Sequence, residues 1–168
     1  MRAKARGARA PAVTACADYS FRQRFRVPAP QAFRWCIDFT PDDLADPHER
    51  GRRKVRWLSP RTVLLDDTFP APQGRRVRKV KLVQIYPETR SWVSTHILGP
   101  NHYSQFRYRI VPDGPGASAL LFDGRELRWA GPTLSAAGTR RLARRLQRED
   151  SRLWKRFAVE IERDFPRG

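Results

Sequence analysis

Three residues with side chains suited to proton transfer lie within largely apolar segments of the sequence: His96, Tyr108 and Glu126. Histidine is the strongest of these candidates, because an imidazole can exchange a proton near neutral pH. A hydrogen-bonded structural histidine, and a glutamate paired with a neighbouring arginine, are the competing interpretations. We therefore treat all three as candidate catalytic residues and assign no reaction to them.

A larger set of side chains could line a ligand-binding pocket. Tryptophan combines a large apolar body with one N–H donor, and a few polar groups among such residues orient a bound molecule. The predicted ligand-binding residues are Trp57, Gln84, Trp92, His96, Tyr108, Glu126 and Trp154. Core packing would account equally well for each tryptophan. In segment 91–98 polar and apolar residues occur on both faces of the predicted strand, so either face could line the pocket.

The remaining reactive residues form no familiar catalytic or metal-binding pattern. Cys16 and Cys36 are far apart in the sequence and the three histidines are scattered, so we predict no metal site and no tightly bound cofactor. The sequence also lacks a phosphate-cradling glycine loop and a Ser-His-Asp order. If the protein is an enzyme, we expect a cyclase or dehydratase without a metal. Reduced cysteines favour a cytoplasmic location.

The sequence is strongly basic, with 34 Lys and Arg against 17 Asp and Glu, which gives a net charge of +17. The most informative basic run lies at the start of the predicted last helix, where arginines four residues apart repel one another and the helix dipole. The predicted anion-binding surface consists of Arg140, Arg141, Arg144 and Arg145. It could face a ligand headgroup or an anionic membrane. The alternatives are internal pairing with Asp42, Asp43 and Asp46, or a solvated basic face.

Nucleic-acid binding is a less favoured alternative. Basic charge is compatible with it, but in segments such as 21–26 the aromatic residues alternate with arginines, which places the two kinds on opposite faces of a strand. Single-stranded nucleic acid is bound where aromatic stacking surfaces and basic groups share one groove. The oligomeric state stays open.

Hydrophobic periodicity predicts the elements that position these residues. Residues 19–27 alternate as a half-buried strand that ends at Pro28 and Pro30, and one or two short helices follow. Six further strand-like segments fill residues 54–129, and among them are segments 76–86 and 91–98. Residues 133–165 form one long amphipathic helix, whose apolar stripe is Leu142, Leu146, Leu153, Phe157 and Ile161. This order predicts an α+β fold in which a seven-stranded antiparallel sheet is covered by the C-terminal helix. We predict a basic disordered tail over residues 1–17 and a single domain over residues 18–168.

Three stretches carry a resemblance to a known superfamily: RFRVPAPQAFRWCIDF at residues 24–39, the run of strands, and EDSRLWKRFAVEIERDF at residues 149–165. Together they resemble the START-like, or SRPBCC, helix-grip superfamily, which includes polyketide cyclases, plant allergen-type ligand carriers and coenzyme Q-binding proteins. The resemblance implies a sheet curled around the last helix, with an elongated apolar cavity between them. Members of the superfamily share no catalytic motif that could be transferred to this sequence.

The function that this resemblance implies is binding or transport of an apolar or amphipathic small molecule, such as a lipid, polyketide or isoprenoid-like compound. A polyketide cyclase or dehydratase that acts in the same cavity is the alternative. Nucleic-acid or anionic-membrane binding through the arginine runs is the second alternative.

Overall fold

The computed structural model describes residues 12–44 and 51–166. The strands are β1 (Ala15–Phe25), β2 (Arg52–Ser59), β3 (Thr62–Pro70), β4 (Arg76–Tyr86), β5 (Ser91–Leu98), β6 (Gln105–Pro112) and β7 (Ser118–Arg128). The helices are α1 (Ala29–Ile37) and α2 (Ala136–Asp164), with short 3-10 turns at Pro41–Leu44, Pro72–Gly74 and Pro87–Thr89. The seven strands form one antiparallel sheet in the order β1-β7-β6-β5-β4-β3-β2. The predicted α+β helix-grip architecture is confirmed.

The first strand begins earlier than the sequence pattern predicted. β1 starts at Ala15, which pairs with Arg128 at the end of β7. Residues 15–17 therefore belong to the sheet and not to a tail, because Ala15 and Ala17 are small enough to fit on its buried face. The rest of the predicted tail, up to residue 11, lies outside the described residues.

The end of β1 leads directly into α1. Pro28 occupies the N-cap of this helix and Pro30 lies in its first turn. Proline is tolerated there because the N–H groups of the first turn have no partner within the helix. The hydroxyl of Ser118 donates to the carbonyl oxygen of Val27 at 2.7 Å, which ties the strand exit to β7. The two prolines thus mark the end of the strand and the start of the helix.

The inner face of the sheet is built from aligned aromatic residues. Across β7, β6 and β5, Phe122 pairs with Tyr108, and Tyr108 pairs with Trp92. Gly124 leaves room for them, because a Cβ at this position would lie 2.8 Å from the ring of Phe122 and 3.0 Å from that of Phe106. Crowding of rings on one face of the sheet therefore explains this glycine.

Helix α2 begins at a side-chain cap and packs along β1. The hydroxyl of Ser135 accepts a hydrogen bond from the N–H of Gly138 at 3.2 Å. The buried residues of the helix are Leu142, Leu146, Trp154, Ala158 and Ile161. The periodicity places Leu153 and Phe157 on the same apolar stripe, and both are half-buried because they border a cavity. Within residues 12–44 and 51–166, no helix is both long and apolar enough to span a bilayer.

Candidate functional site

A cavity of about 810 Å³ separates the inner face of the sheet from α1 and α2. Because α2 packs against β1 at one edge of the sheet, it leaves space over the central strands. Side chains from all seven strands, from both helices and from the loop at Pro100 and Asn101 line this space. A volume of this size lies within the range of small-molecule binding sites.

One wall of the cavity is aromatic. The ring of Trp92 stacks on that of Tyr108, with 4.8 Å between centroids and 3° between planes. Trp154 on α2 lies 6.3 Å from Trp92 and 5.8 Å from Tyr108, and Phe157 meets it edge to face at 5.4 Å. Burial raises the pKa of Tyr108 well above its ordinary value, so its hydroxyl stays protonated. The wall therefore offers flat apolar surfaces and one phenolic hydroxyl.

A buried ion cluster lies towards the β3 side of the cavity. Asp67 is fully buried and accepts hydrogen bonds from Arg53 Nε at 2.7 Å and Nη2 at 3.0 Å, while Lys81 Nζ lies 2.7 Å from its Oδ2. Asp43 Oδ2 lies 2.7 Å from Arg53 Nη1. The cluster therefore holds two cations and two carboxylates.

The pKa values of this cluster reflect both burial and pairing. Burial disfavours the Asp67 carboxylate, but hydrogen bonds from Arg53 and the charge of Lys81 outweigh it, so the pKa of Asp67 is lowered. Burial lowers the pKa of Lys81 more than Asp67 raises it. The mutual neutralisation leaves no net charge from these four groups to attract a ligand.

A second set of polar residues forms a chain of hydrogen bonds along the cavity wall. His96 Nδ1 lies 2.9 Å from Asn101 Oδ1, and Asn101 Nδ2 donates to Glu126 Oε2 at 3.3 Å. Arg128 Nη2 donates to Glu126 Oε1 at 2.9 Å. Burial, reinforced by the charge of Lys81, lowers the pKa of His96 to about 4. At neutral pH the imidazole is therefore uncharged.

A third polar pair joins β1 to α2. The hydroxyl of Tyr19 donates to Asp150 Oδ2 at 2.6 Å. Burial raises the pKa of Asp150, and the nearby charge of Glu126 raises it further, although the hydrogen bond from Tyr19 opposes the shift. The pKa of Tyr19 is also raised, by burial and then by Asp150. This pair therefore places a hydrogen-bonded phenol and carboxyl group at the cavity lining.

The fold is shared with several solved structures. The Zhui aromatase/cyclase from Streptomyces sp. R1128 superposes with a TM-score of 0.69 at 11% identity, over 88% of this chain and 94% of that one. A START superfamily protein from Mycobacterium smegmatis gives a TM-score of 0.63 at 18% identity, over 87% and 97% of the two chains. The chain has the START-like fold. No family model matches the sequence, and no curated protein does either.

A two-domain relative of this fold matches over one of its halves. The di-domain ARO/CYC StfQ from the steffimycin biosynthetic pathway gives a TM-score of 0.69 at 13% identity, over 90% of this chain and 52% of that one. At these identities the likeness shows the START-like fold and no more.

Five of the seven predicted ligand-binding residues line the START-like cavity. These are Trp92, His96, Tyr108, Glu126 and Trp154. The structure also decides the parity of β5, because Trp92, Ser94 and His96 are all buried on its inner face. Their positions are compatible with ligand contact, and their roles stay predictions.

Two predicted ligand-binding residues lie outside the cavity. Gln84 is exposed on the outer face of β4, because its neighbours Val83 and Ile85 occupy the inner face. Trp57 has inward parity on the edge strand β2, but it lies near the strand end and is 48% exposed. It contacts Phe39, which lines the cavity from the other side. The predicted cavity positions of Gln84 and Trp57 are therefore wrong, because Gln84 faces outward and Trp57 lies near the end of an edge strand.

The predicted anion surface lies on the exposed side of α2. Arg140, Arg141, Arg144 and Arg145 are exposed, and Arg145 lies 3.6 Å from Glu149. Of the three aspartates considered as partners, Asp43 is instead bound to Arg53, and Asp46 lies outside the described residues. For Asp42 the described part of the chain shows no ion pair with α2. Among the described residues, the alternative of internal pairing with these aspartates is therefore not seen.

Several cavity residues were missed from the sequence. Asp150 follows Leu146 by four residues and precedes Trp154 by four, so its position in the apolar stripe of α2 was a usable signal. Arg53 and Lys81 lie within the basic runs at residues 50–56 and 75–81, which hides the inward parity that both have on their strands. Asn101 lies in a turn, where no periodicity indicates burial.

Proposed function

We propose that this START-like domain binds an amphipathic small molecule with a flat or elongated apolar body. The observation that carries the proposal is the cavity of about 810 Å³, which is lined by an aromatic wall and a few hydrogen-bonded polar groups. Apolar contact would supply most of the affinity, and the polar chain would set orientation. The aromatase/cyclase and START names of the structural neighbours support the same class of ligand.

A cavity-filling variant tests this proposal. Ser94 is buried on the inner face of β5 and lines the cavity, whereas Thr95 lies on the outer face of the same strand. We expect Ser94→Phe to weaken saturable binding of N-phenyl-1-naphthylamine, an uncharged dye that fluoresces in apolar sites, by roughly tenfold or more. Thr95→Phe is the matched control and should bind the dye as the wild type does.

Two results would contradict the proposal. One is the absence of saturable dye binding to the wild-type protein. The other is equal binding by wild type and Ser94→Phe, which would place the dye on the surface. Mass spectrometry of solvent-extracted protein, compared with a mock purification, would then identify the natural ligand class where binding is found.

A cyclase or dehydratase function is the second candidate, and the buried imidazole of His96 favours it. The group is neutral and hydrogen-bonded through Nδ1, as a general base would be. Its pKa of about 4 is far from neutral pH, however, which makes it a weak base. Binding is therefore the leading proposal.

Proton exchange would test the second candidate directly. If His96 removes protons, the protein should accelerate deuterium exchange at the activated methylene of 2-tetralone, followed by NMR. His96→Gln, Tyr108→Phe and Glu126→Gln identify the group responsible. Exchange no faster than with buffer alone, for the wild type and all three variants, would exclude this function for that ketone class.

A further inference from the structure

The hydrogen-bond chain at Glu126 fixes the orientation of the Asn101 amide. Glu126 forms an ion pair with Arg128 and accepts hydrogen bonds, so the NH₂ group of Asn101 faces Glu126 Oε2 at 3.3 Å. The amide oxygen therefore points the other way and lies 2.9 Å from His96 Nδ1. An amide oxygen only accepts, so Nδ1 carries the proton of the neutral imidazole. Glu126 thus sets the tautomer of His96 through Asn101.

This tautomer leaves a lone pair on His96 Nε2. His96 lines the cavity, and the described residues make no hydrogen bond to Nε2. The one fully buried side-chain polar atom without a partner in the described part of the chain is Arg90 Nε, so Nε2 is not sealed inside the protein. Its lone pair is therefore available to a hydrogen-bond donor in the cavity.

Hydrogen-bond chemistry decides which kind of ligand group suits this acceptor. Lys81 is opposite His96 across the β4–β5 pair, but its amine is committed to Asp67. A carboxylate of a ligand has no proton to donate to Nε2 and would place two acceptors against each other. A neutral hydroxyl can donate its proton to Nε2.

We propose that the ligand of this cavity is an aromatic or polycyclic alcohol whose hydroxyl donates to His96 Nε2, and that Asn101 is the positioning residue for this contact. The inference rests on the proposed binding function and names its ligand class. The ring of Phe106 lies 4.9 Å from that of His96, so the hydroxyl-bearing ring of the ligand would meet an aromatic neighbour next to its acceptor. The stacked Trp92 and Tyr108 would contact the rest of the apolar body.

Three naphthalenes of similar size test the ligand class. Displacement of N-phenyl-1-naphthylamine at pH 7 compares 2-naphthol, 2-methoxynaphthalene and 2-naphthoate. We expect 2-naphthol to bind roughly tenfold more tightly than the methyl ether, because the ether removes the donor and leaves a buried acceptor without a partner. We expect 2-naphthoate to bind most weakly.

Variants of the hydrogen-bond chain test the residues. His96→Phe should abolish the preference for 2-naphthol while retaining the shape of the site. Asn101→Leu frees Nδ1, so the imidazole can move its proton to Nε2 and the preference should shrink or reverse towards the ether. His102→Phe is the matched control, since His102 is stacked on Trp129 and is not part of the cavity lining.

A spectroscopic measurement separates positioning from a purely structural role. Long-range proton–nitrogen correlation spectra of the ligand-free protein should show His96 protonated at Nδ1, and Asn101→Leu should lose that signature. Failure of all three naphthalenes and the dye to bind would overturn the binding function itself. Equal binding of 2-naphthol and its ether, tightest binding of 2-naphthoate, or an unchanged preference in His96→Phe would overturn this inference and leave binding intact.

Discussion

The buried carboxylate of Asp67 is matched with two cations, whereas three arginines on the exposed side of α2 have no acidic partner among the described residues. Inside, the Asp67 carboxylate contacts both Arg53 and Lys81 at hydrogen-bonding distance. Outside, Arg140, Arg141 and Arg144 have no acidic side chain within 4.0 Å in residues 12–44 and 51–166. Arg145 is 3.6 Å from Glu149, a separation typical of a weak surface pair.

This difference bears on the excess of basic residues, which gives the whole sequence a net charge of +17. A charge that is transferred from water to the interior costs several kcal/mol unless it is paired, so the interior tolerates cations only beside carboxylates. Solvent screens exposed arginines, so their number has little effect on folding. The net charge by itself therefore gives no reason to expect an anionic ligand in the cavity.

The largest expected effect on stability comes from removing the carboxylate of the buried ion cluster. Asp67→Asn removes the carboxylate between Arg53 and Lys81 and leaves two buried cations with Asp43 as the nearest anion. We expect the free energy of unfolding to fall by about 3 to 5 kcal/mol. Urea denaturation at pH 7 measures the loss.

The adjacent residue provides the control for this prediction. Asp66 lies on the outer face of β3 and pairs with the exposed Arg78, at 2.8 Å. Asp66→Asn should cost no more than about 1 kcal/mol, because exposed pairs are screened by water and salt. Equal losses for the two variants would show that the buried cluster is no more important than a surface pair.

The second effect is a dependence of stability on pH that originates at His96. The pKa of His96 falls from the ordinary 6.5 to about 4 because it is buried near Lys81. The unfolded chain therefore takes up this proton first as the pH falls. Stability from the neutral imidazole is complete above pH 6.5 and is lost between about pH 6.5 and 4. The loss should reach roughly 3 kcal/mol.

The contribution of His96 is isolated by comparing variants across this pH range. His96→Gln should remove the part of the slope that the imidazole causes, whereas Thr95→Gln on the outer face should retain it. Asp150 titrates in the opposite sense, because its raised pKa lets the folded state bind a proton first. The difference between variant and wild type cancels that term. Parallel stability curves for wild type and His96→Gln would contradict the assignment.

The sequence was sufficient for most of the fold, because alternation and turn residues are local signals. Strand β4 was predicted with the bounds that the structure shows, Arg76–Tyr86, and β5 likewise as Ser91–Leu98. Each is bounded by proline or glycine turns that end the ladder. The start of β1 was missed because Ala15 and Ala17 carry too little apolar surface to produce a clear pattern.

The site was only partly predictable, because a cavity depends on strand order and on what remains unfilled. Gln84 and His96 are both polar residues in apolar strands, yet only His96 has inward parity. Parity relative to the core needs the register of neighbouring strands, which single segments do not encode. Asn101 reaches the cavity through a loop, and its contact with Glu126 joins residues 25 positions apart.

The smallest expected effect concerns the unmatched arginines of α2. Replacing Arg141, Arg144 and Arg145 by Gln removes like-charge pairs four residues apart near the positive end of the helix dipole, each of which costs about 0.2 to 0.5 kcal/mol. We expect a small rise in melting temperature in low salt that disappears at high ionic strength, since salt screens the repulsion. Glutamine substitutions at Arg22 and Arg125, which pair with Asp113 and Asp18, are the control and should not raise it. A clear loss of stability in the α2 variant would mean that these arginines have partners within the fold, and the contrast between the cavity and the surface would then fail.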